Sequence, residues 1–573
     1  MNVIDVARAW REQDPDEETR AELDHLIADA ETDSAQALHE LHDRFDTRLE
    51  FGTAGLRGRI EAGSNRMNRV LVAQAAAGFA AFLLSRTSLT GAPSVVIGYD
   101  GRKNSRMFAV DTAELMAGAG VRAVLLPRLL PTPVLAFAVR ELGLSAGVMV
   151  TASHNPATDN GYKVYLGDAD EGSQIVPPLD GEIAAHILAV ATDRKVLQLP
   201  RSMHYETAGE IVIDEYVRRT AALRTRPKSA LRYVYTALHG VGWETAHRVF
   251  IEAGFGEPTV VALQIEPDAA FPTVAFPNPE EPGALDLAFD TAITADAEIV
   301  IANDPDADRL AIGIPDADGD WHRLSGNQVG ALLGWRAAER LTAAGTAGDP
   351  ITPNPPGSPD TVGAPGTLAA SIVSSPALAE VARQYGLAYV DTLTGFKWVS
   401  RVPGLSYGYE EALGYLVDPA KVRDKDGISA AVEFLGLVAD LKAAGRTVTD
   451  HLADFAGRFG AFASAQVSIR VTDLADIPRL MDSLRRSPPE RIGRAVVRRI
   501  DDFAEGFGGL PASDILRFWL EDGSRVIVRP SGTEPKVKVY IDASSVEGTP
   551  TYRQAVAQAT VDRLETDMRA IFA

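Results

Sequence analysis

Residues 132–156 read TPVLAFAVRELGLSAGVMVTASHNP, and this stretch holds one full beat of the pattern that decides the fold. Thr132–Leu142 spaces its apolar residues as a helix does. The run Leu144-Ser145-Ala146-Gly147-Val148-Met149-Val150 is short and apolar, as a buried strand Gly147–Val150 requires. The strand then gives way to Thr151-Ala152-Ser153-His154-Asn155-Pro156, where Pro156 blocks an immediate return to helix.

The same beat repeats on either side. Helix Val70–Leu84 precedes strand Ser94–Tyr99, and helix Met107–Gly118 precedes strand Arg122–Leu126. Such alternation implies a mostly parallel sheet covered by helices. A second set begins at Leu231–Tyr235, continues through Thr259–Leu263 and reaches Ala297–Ala302, and a third covers Leu368–Leu441. Between these two sets, Gly345–Pro365 carries six prolines and reads as a surface loop. The last hundred or so residues differ, with strand-like Ala465–Val471, Leu516–Leu520 and Arg525–Val528 broken by helices. The N-terminal residues read as a packing arm of helices with an acidic face, such as Glu17–Ala30, ending near Phe45. The expected fold class is α/β: three similar mixed-sheet α/β domains followed by a C-terminal α+β domain. The expected boundaries are an arm at 1–48 and domains at 49–215, 216–325, 326–455 and 456–573.

Composition narrows the function. A chain of 573 residues is too long for one ordinary core. Its 78 Asp+Glu against 56 Lys+Arg give a net charge of −22, which argues against a nucleic-acid binder. A locally basic pocket inside that acidic shell can still take an anionic substrate. There is no cysteine, which excludes disulfides, thiol catalysis and zinc-thiolate sites. The N-terminus lacks a charged-then-apolar leader pattern. The longest apolar runs, such as Ala73–Leu84, fall short of a membrane span. A cytoplasmic protein is expected.

The strongest local signal is Asn303-Asp304-Pro305-Asp306-Ala307-Asp308-Arg309, directly after the strand Ile299–Ala302. Three carboxylates at alternate positions on a proline-stiffened loop can aim oxygens at one hard cation, and Mg²⁺ suits a site that keeps positions open for phosphate oxygen and water. An EF-hand fails, because its sixth position would be Arg309 and its twelfth Pro315. A solvated acidic turn is the bland alternative. Arg309 counts against it, since a guanidinium beside a metal suits a transferring phosphoryl group. Asp316-Ala317-Asp318-Gly319-Asp320 reads as a hairpin turn.

Ser153 lacks the flanking glycines of a Gly-x-Ser-x-Gly nucleophile elbow. A hydroxyl near a Mg²⁺ site could instead carry a phosphoryl group, although a Ser-His pair taken alone is more often a turn. Arg529-Pro530-Ser531-Gly532-Thr533-Glu534-Pro535 offers an arginine fork, two hydroxyls and a glycine turn, a suitable phosphate cradle. Lys536 and Lys538 follow on one face of a strand. Gly408-Tyr409-Glu410-Glu411-Ala412-Leu413-Gly414-Tyr415 sets paired carboxylates between glycines, which can hydrogen-bond sugar hydroxyls. Read unaided, they form an acidic helix start.

These motifs, in this order and together with Phe51-Gly52-Thr53-Ala54-Gly55-Leu56-Arg57-Gly58, resemble the α-D-phosphohexomutase superfamily of phosphoglucomutases and phosphomannomutases over nearly the whole chain. The GTAGLRG start, the long arm and the GYEEALGY loop resemble its branch of phosphopentomutase-like and glucose-1,6-bisphosphate synthase-like enzymes. The resemblance implies an active site in a central cleft, with Ser153 as a phosphoserine. Asp304, Asp306 and Asp308 would hold Mg²⁺ with its oxygen. Arg57 and Arg309 would stabilise the transferring phosphoryl group. Lys163 would be the general acid/base, its pKa depressed by Mg²⁺ and arginines, and His154 would assist. Glu411, joined by Glu410, and Thr394-Gly395-Phe396-Lys397 would hold the sugar. Arg529, Ser531, Gly532, Thr533, Lys425 and Lys538 would grip the non-reacting phosphate.

Many members of this superfamily carry a serine between the sugar-loop glutamate and a glycine. Matching that glycine to Gly414 puts Leu413 at the serine position and leaves the sugar preference open. The implied reaction interconverts hexose 1-phosphate and hexose 6-phosphate, glucose first, through a sugar 1,6-bisphosphate that also serves as activator. Mannose, pentose and bisphosphate synthesis are the alternatives. A non-catalytic sugar-phosphate sensor would have no need to keep Ser153, Lys163 and the triplet together. The only partner implied is a phosphosugar, and the enzyme would be a monomer or dimer.

Overall fold

Strands Ser94–Tyr99 and Ala146–Val150 run parallel, Val95 opposite Ala146 and Tyr99 opposite Val150, and every residue of both is buried. In this computed structural model, residues 2–32, 34–86, 91–224, 229–343, 366–471, 476–531 and 536–572 are described. The Gly345–Pro365 loop, Gly532 and Thr533 lie outside them.

The chain forms two compact units, Met1–Arg323 with Asp418–Glu433, and Leu324–Val417 with Phe434–Ala573. In the first unit, one sheet orders its strands as Leu56–Arg59, Asp159–Leu166, Ala146–Val150, Ser94–Tyr99, Arg122–Leu125 and Glu206–Thr207, with Ser173–Gln174 beside Asp159–Leu166. The middle of this sheet is parallel, and Asp159–Leu166 closes it with antiparallel pairing on both sides. Helices Arg69–Ser85, Ser105–Gly118 and Thr132–Glu141 fall where the sequence places them, within two residues at each end. The second sheet of this unit orders Trp321–Arg323, Leu310–Pro315, Ile299–Asn303, Tyr233–Thr236 and Thr259–Val260. Asp316–Asp320 forms the turn joining its antiparallel pair Leu310–Pro315 and Trp321–Arg323. The expected strand Thr259–Leu263 is shortened to Thr259–Val260, because the chain turns back so that the Gln264 amide donates to the Val261 carbonyl.

The arm is three helices, Val3–Gln13, Glu17–Glu31 and Ala35–Phe45. Trp10, Leu23, Leu41 and Phe45 bury against Val70, Ala73 and Ala76 of helix Arg69–Ser85. Burying each large apolar side chain contributes about 1.5–3 kcal/mol, so the arm is an integral layer of this unit.

The second unit contains a sheet ordered Ala388–Thr392, Thr367–Ser371, Leu405–Glu410 and Gly414–Leu416, and an antiparallel one ordered Ala461–Arg470, Lys536–Ser545, Arg525–Pro530, Leu516–Leu520, Ala495–Asp502 and Arg491–Ile492. Val526, Val528, Val537 and Val539 of the latter pack with Val561 and Leu564 of helix Pro550–Ile571. Ile372, Val373 and Leu393 of the first sheet's loops share a cluster with Phe503, Ile515 and Ile527 of the second. Glu410 ends a strand and Glu411 opens the turn to Gly414–Leu416. The pair therefore sits on a β-hairpin and does not start a helix.

Candidate active site

The first unit brings the strand-end serine and the aspartate loop together. Ser153 lies in the left-handed region at φ 54°, a conformation non-glycine residues adopt only when the surroundings hold them there. Its amide donates to Thr151 Oγ1 at 2.9 Å, and its carbonyl accepts from Arg102 Nη2 at 2.7 Å. Arg102 also donates to the carbonyls of Asn155, Pro156 and Asp159, so one buried guanidinium fastens the whole loop. Ser153 Oγ then donates to Asp304 Oδ2 at 3.1 Å and lies 3.4 Å from His154 Nδ1.

The aspartate loop is equally fixed. Asp304 Oδ1 accepts from the Arg309 amide, Asn303 Nδ2 donates to the Arg309 carbonyl, and Thr132 Oγ1 donates to Asp306 Oδ2 at 2.6 Å. Gly240 makes the close approach possible, because a Cβ there would stand 2.3 Å from Pro305 Cα. Asp304, Asp306 and Asp308 are fully buried and can bring one oxygen each within 4.8 Å of the others. Asp306 Oδ1 and Asp308 Oδ1 are buried without a hydrogen-bond partner among the described residues. Buried, crowded carboxylates with orphaned oxygens are the donor set of a hard divalent cation, so the residues present fit Mg²⁺. Burial together with the charges of Asp306 and Asp308 pushes the Asp304 carboxyl far above the ordinary carboxylate range.

Lys163 reaches the loop from strand Asp159–Leu166, its Nζ 2.7 Å from Asp306 Oδ2 and 3.0 Å from Asp308 Oδ2. Burial lowers its pKa, but the two carboxylates outweigh burial and the net shift is upward. The two carboxylates that raise it are those assigned to Mg²⁺, and the expected depression is one for the metal-bound site. Arg57 faces Gly161 on the paired strand and donates to Asn155 Oδ1 at 3.1 Å. Gly55 at φ 76° lets that strand approach, since a Cβ there would lie 1.8 Å from the Tyr162 carbonyl oxygen. Arg309 Nε stands 3.8 Å from both Asp304 and Asp308. Burial and the nearby Arg309 and Arg57 keep His154 neutral, its pKa well below the usual 6.5.

Lys425, expected among the distal-phosphate residues, is placed in the first unit with the aspartate loop, its Nζ 3.4 Å from Asp308 Oδ2. The stretch that carries it is anchored by Tyr165 and Gln174 on Asp424 and by Tyr216 on Asp426.

The other expected residues belong to the second unit. Arg529 and Lys538 are directly opposed across paired strands, a two-cation face suited to an anion, and the Ser531 amide donates to the Lys536 carbonyl. Glu411 Oε2 accepts from Ser371 and Ser374 at 3.0 and 3.1 Å. Phe396 is 3% exposed and packs with Ala369, Val399 and Leu416. Its side chain belongs to the core. Thr394, Gly395 and Lys397 are half-buried around it, and Gly395 takes φ 106°. Leu413 is fully buried, so no sugar hydroxyl would meet the position matched to the superfamily's serine, while Glu411 and Ala412 of that turn are half-buried.

Arg102 and Thr132 were not among the expected residues. Arg102 had a signal: Asp100-Gly101-Arg102 places charge directly after the largely apolar strand Ser94–Tyr99, at the same edge as Ser153.

The four successive domain profiles of the phosphoglucomutase/phosphomannomutase family match in order: alpha/beta/alpha domain I at residues 48–194, domain II at 214–317, domain III at 325–459 and the C-terminal domain at 467–559. The chain belongs to this family. It is accordingly an α-D-phosphohexomutase superfamily member and an isomerase of the phosphotransferase type. A Haemophilus influenzae protein named "Probable phosphomannomutase" is 54% identical over 83% of this chain and 93% of its own length. The phosphopentomutase of Mus musculus is 33% identical over 94% of this chain and 90% of its own. The crystal structure of a phosphoglucomutase/phosphomannomutase family protein from Burkholderia thailandensis shares the fold, with a TM-score of 0.67, 22% identity, and coverage of 91% of this chain and 97% of its own. Among the described residues, no helix is long and apolar enough to cross a membrane.

Proposed function

We propose that this phosphomutase interconverts hexose 1-phosphate and hexose 6-phosphate, with glucose as its sugar, through a phosphorylated Ser153 and a sugar 1,6-bisphosphate. The observation that carries the reading is Ser153 Oγ at 3.1 Å from Asp304 Oδ2, inside a buried cluster whose cations are Lys163, Arg309 and Lys425. Such a cluster is built to hold a phosphoryl group by position and charge, which is most of what phosphoryl transfer needs.

Asp304, Asp306 and Asp308, with the Ser153 oxygen, would hold Mg²⁺, which when bound supplies Lewis-acid charge to the phosphoryl oxygens. In the forward half-reaction the bond between phosphorus and Ser153 Oγ breaks and a bond to the free sugar hydroxyl forms, the hydroxyl proton leaving to a base. Lys163 would act as the general acid/base on the sugar hydroxyl, and His154, 3.4 Å from Ser153 Oγ, would assist at the departing oxygen. In the second half-reaction the other phosphate of the bisphosphate returns to Ser153. Arg57 and Arg309 offset the charge that spreads over the transferring group. Glu411 holds the sugar, while Arg529, Ser531 and Lys538 hold the far phosphate, with Gly532 and Thr533 assigned to the same loop.

The test is turnover of glucose 1-phosphate with Mg²⁺ and catalytic 1,6-bisphosphate, together with mass spectrometry of the Ser153 peptide. Phosphate on Ser153 and isomerisation are expected; turnover with Ser153 never phosphorylated would overturn the mechanism. A panel of glucose, mannose and ribose 1-phosphates tests the sugar. The pentose reading is favoured by the 33% identity to a phosphopentomutase over 94% of the chain, and a tenfold higher kcat/KM on ribose 1-phosphate would replace glucose with it. Accumulation of glucose 1,6-bisphosphate from 1,3-bisphosphoglycerate would instead indicate a synthase.

A further inference from the structure

Arg525 opens the strand Arg525–Pro530, whose other end carries Arg529. It is 4% exposed, its Nε donates to Asp542 Oδ2 at 2.9 Å, and Asp542 Oδ1 accepts from Ser464 Oγ at 2.6 Å. Its Nη2 donates across to the Ser374 carbonyl, which belongs to the turn after strand Thr367–Ser371. That turn is what holds Glu411. Ser374 Oγ accepts from the Glu411 amide at 3.0 Å and donates to Glu411 Oε2, and Ser371 Oγ binds the same carboxylate oxygen.

We propose that Arg525 is a positioning residue that sets the spacing between the sugar-holding Glu411 and the phosphate-holding end of its own strand. The inference rests on the roles of Glu411 and Arg529 given above. The physical reason lies in the ion pair. Burying a guanidinium is tolerated only when its donors are satisfied. Asp542 takes one side of the fork, and the Ser374 carbonyl takes the other. With Arg525 fixed by Asp542 in the neighbouring strand, the Ser371–Ser374 turn has one position that satisfies it. Residues 525 and 529 are four apart, so the strand spans about 13 Å between them, a rigid spacer between a carboxylate and a two-cation face. A bisphosphate that must bind in either orientation needs both ends of that spacer at fixed separation. The apolar cluster of Ile372, Val373, Phe503, Ile515 and Ile527 adds rigidity but has no polar direction, so it cannot specify where Glu411 points.

The experiment compares glucose 6-phosphate and inorganic phosphate binding by calorimetry in the full chain and in Arg525→Met and Arg525→Lys. Glucose 6-phosphate affinity is expected to fall about tenfold or more in Arg525→Met, the usual scale for losing a charged hydrogen bond, with inorganic phosphate affinity changed less than twofold. Arg525→Lys keeps the charge but loses the fork, and should show the same selective loss; it carries the test if Arg525→Met does not fold. Ser374→Ala should reproduce the effect. Equal loss of both ligands would overturn the proposal, because Arg525 would then act on the phosphate loop alone. Unchanged affinity for both in a folded variant would overturn it too. Glu411→Gln run in parallel separates the two readings: if Glu411→Gln binds glucose 6-phosphate normally, the sugar role of Glu411 fails, whatever Arg525 does.

Discussion

Ser153 Oγ donates to Asp304 Oδ2 at 3.1 Å across 151 positions of sequence. The hydroxyl is thereby aimed at the three carboxylates, with His154 Nδ1 4.0 Å from the same Asp304 oxygen. Ser153→Ala should abolish nearly all mutase turnover and leave circular dichroism and the melting temperature close to wild type. A purified Ser153→Ala enzyme with wild-type rates would sink the phosphoserine assignment.

Asp304 is the carboxyl that burial and its neighbours push toward neutrality. An asparagine mimics that neutral form, so Asp304→Asn should melt near wild type in chelator. Wild type, in Mg²⁺ at a hundred times its dissociation constant, should gain about 2.7 kcal/mol, and Asp304→Asn should gain little. Thermal unfolding with Mg²⁺ and with EDTA reads the difference; equal gains would remove Asp304 from the metal site.

Arg102 donates to four carbonyls between Ser153 and Asp159. Arg102→Ala leaves those carbonyls unsatisfied and Asp100 without its charge partner, a loss of about 3 kcal/mol in stability. Displacing Ser153 by an ångström should lower kcat about a hundredfold. Urea unfolding and steady-state kinetics check both, and Arg102→Lys should recover only part, since an ammonium cannot fork across several acceptors.

His451 lies flat on Trp335, ring centres 4.2 Å apart. Burial is the largest cause that brings its pKa from 6.5 down to about 4, with Arg446 and Arg336 adding to it against Asp454. A folded-state pKa below the unfolded one means the unfolded chain binds the proton more readily between those values. Stability should therefore fall as pH drops from about 6.5 to about 4, and His451→Phe should flatten that slope. A slope unchanged in the variant would assign it to other groups.

Much of the fold was legible because its strands are short, rich in apolar residues and set between helices of strong period. Ser94–Tyr99 and Leu516–Leu520 are found at their expected residues. Two-residue strands such as Glu206–Thr207 leave no period to read, and Ala461–Arg470 begins four residues before its sequence signal because its first turn is held by pairing with Ser545 and Ser544. At the site, the aspartate loop announced itself through charge crowding on a stiffened turn. The contact of Lys163 with Asp306 and Asp308 did not, since the two carboxylates lie more than 140 positions away. Arg102 binds main-chain oxygens, so only the charge placed directly after the strand Ser94–Tyr99 marks it in the sequence. Glu410 and Glu411 misled because an acidic pair before a small residue reads alike at a helix start and at a hairpin tip.

The stretch Asp418–Glu433 leaves the chain neighbourhood of its flanking sequence and belongs to the first unit, where Lys421 binds Thr220 and Ser429, and Tyr165, Gln174 and Tyr216 hold its aspartates. Helix Gly427–Ala443 starts in one unit and finishes in the other. Dissection is therefore constrained in a way that the order of homologous domains conceals. A fragment cut at 325–459 would carry away the anchor of Lys425 with its buried lysine and carboxylates stripped of partners, and the remainder would lose a cation beside Asp308. The family's domains and the compact units of this chain are divided along different lines.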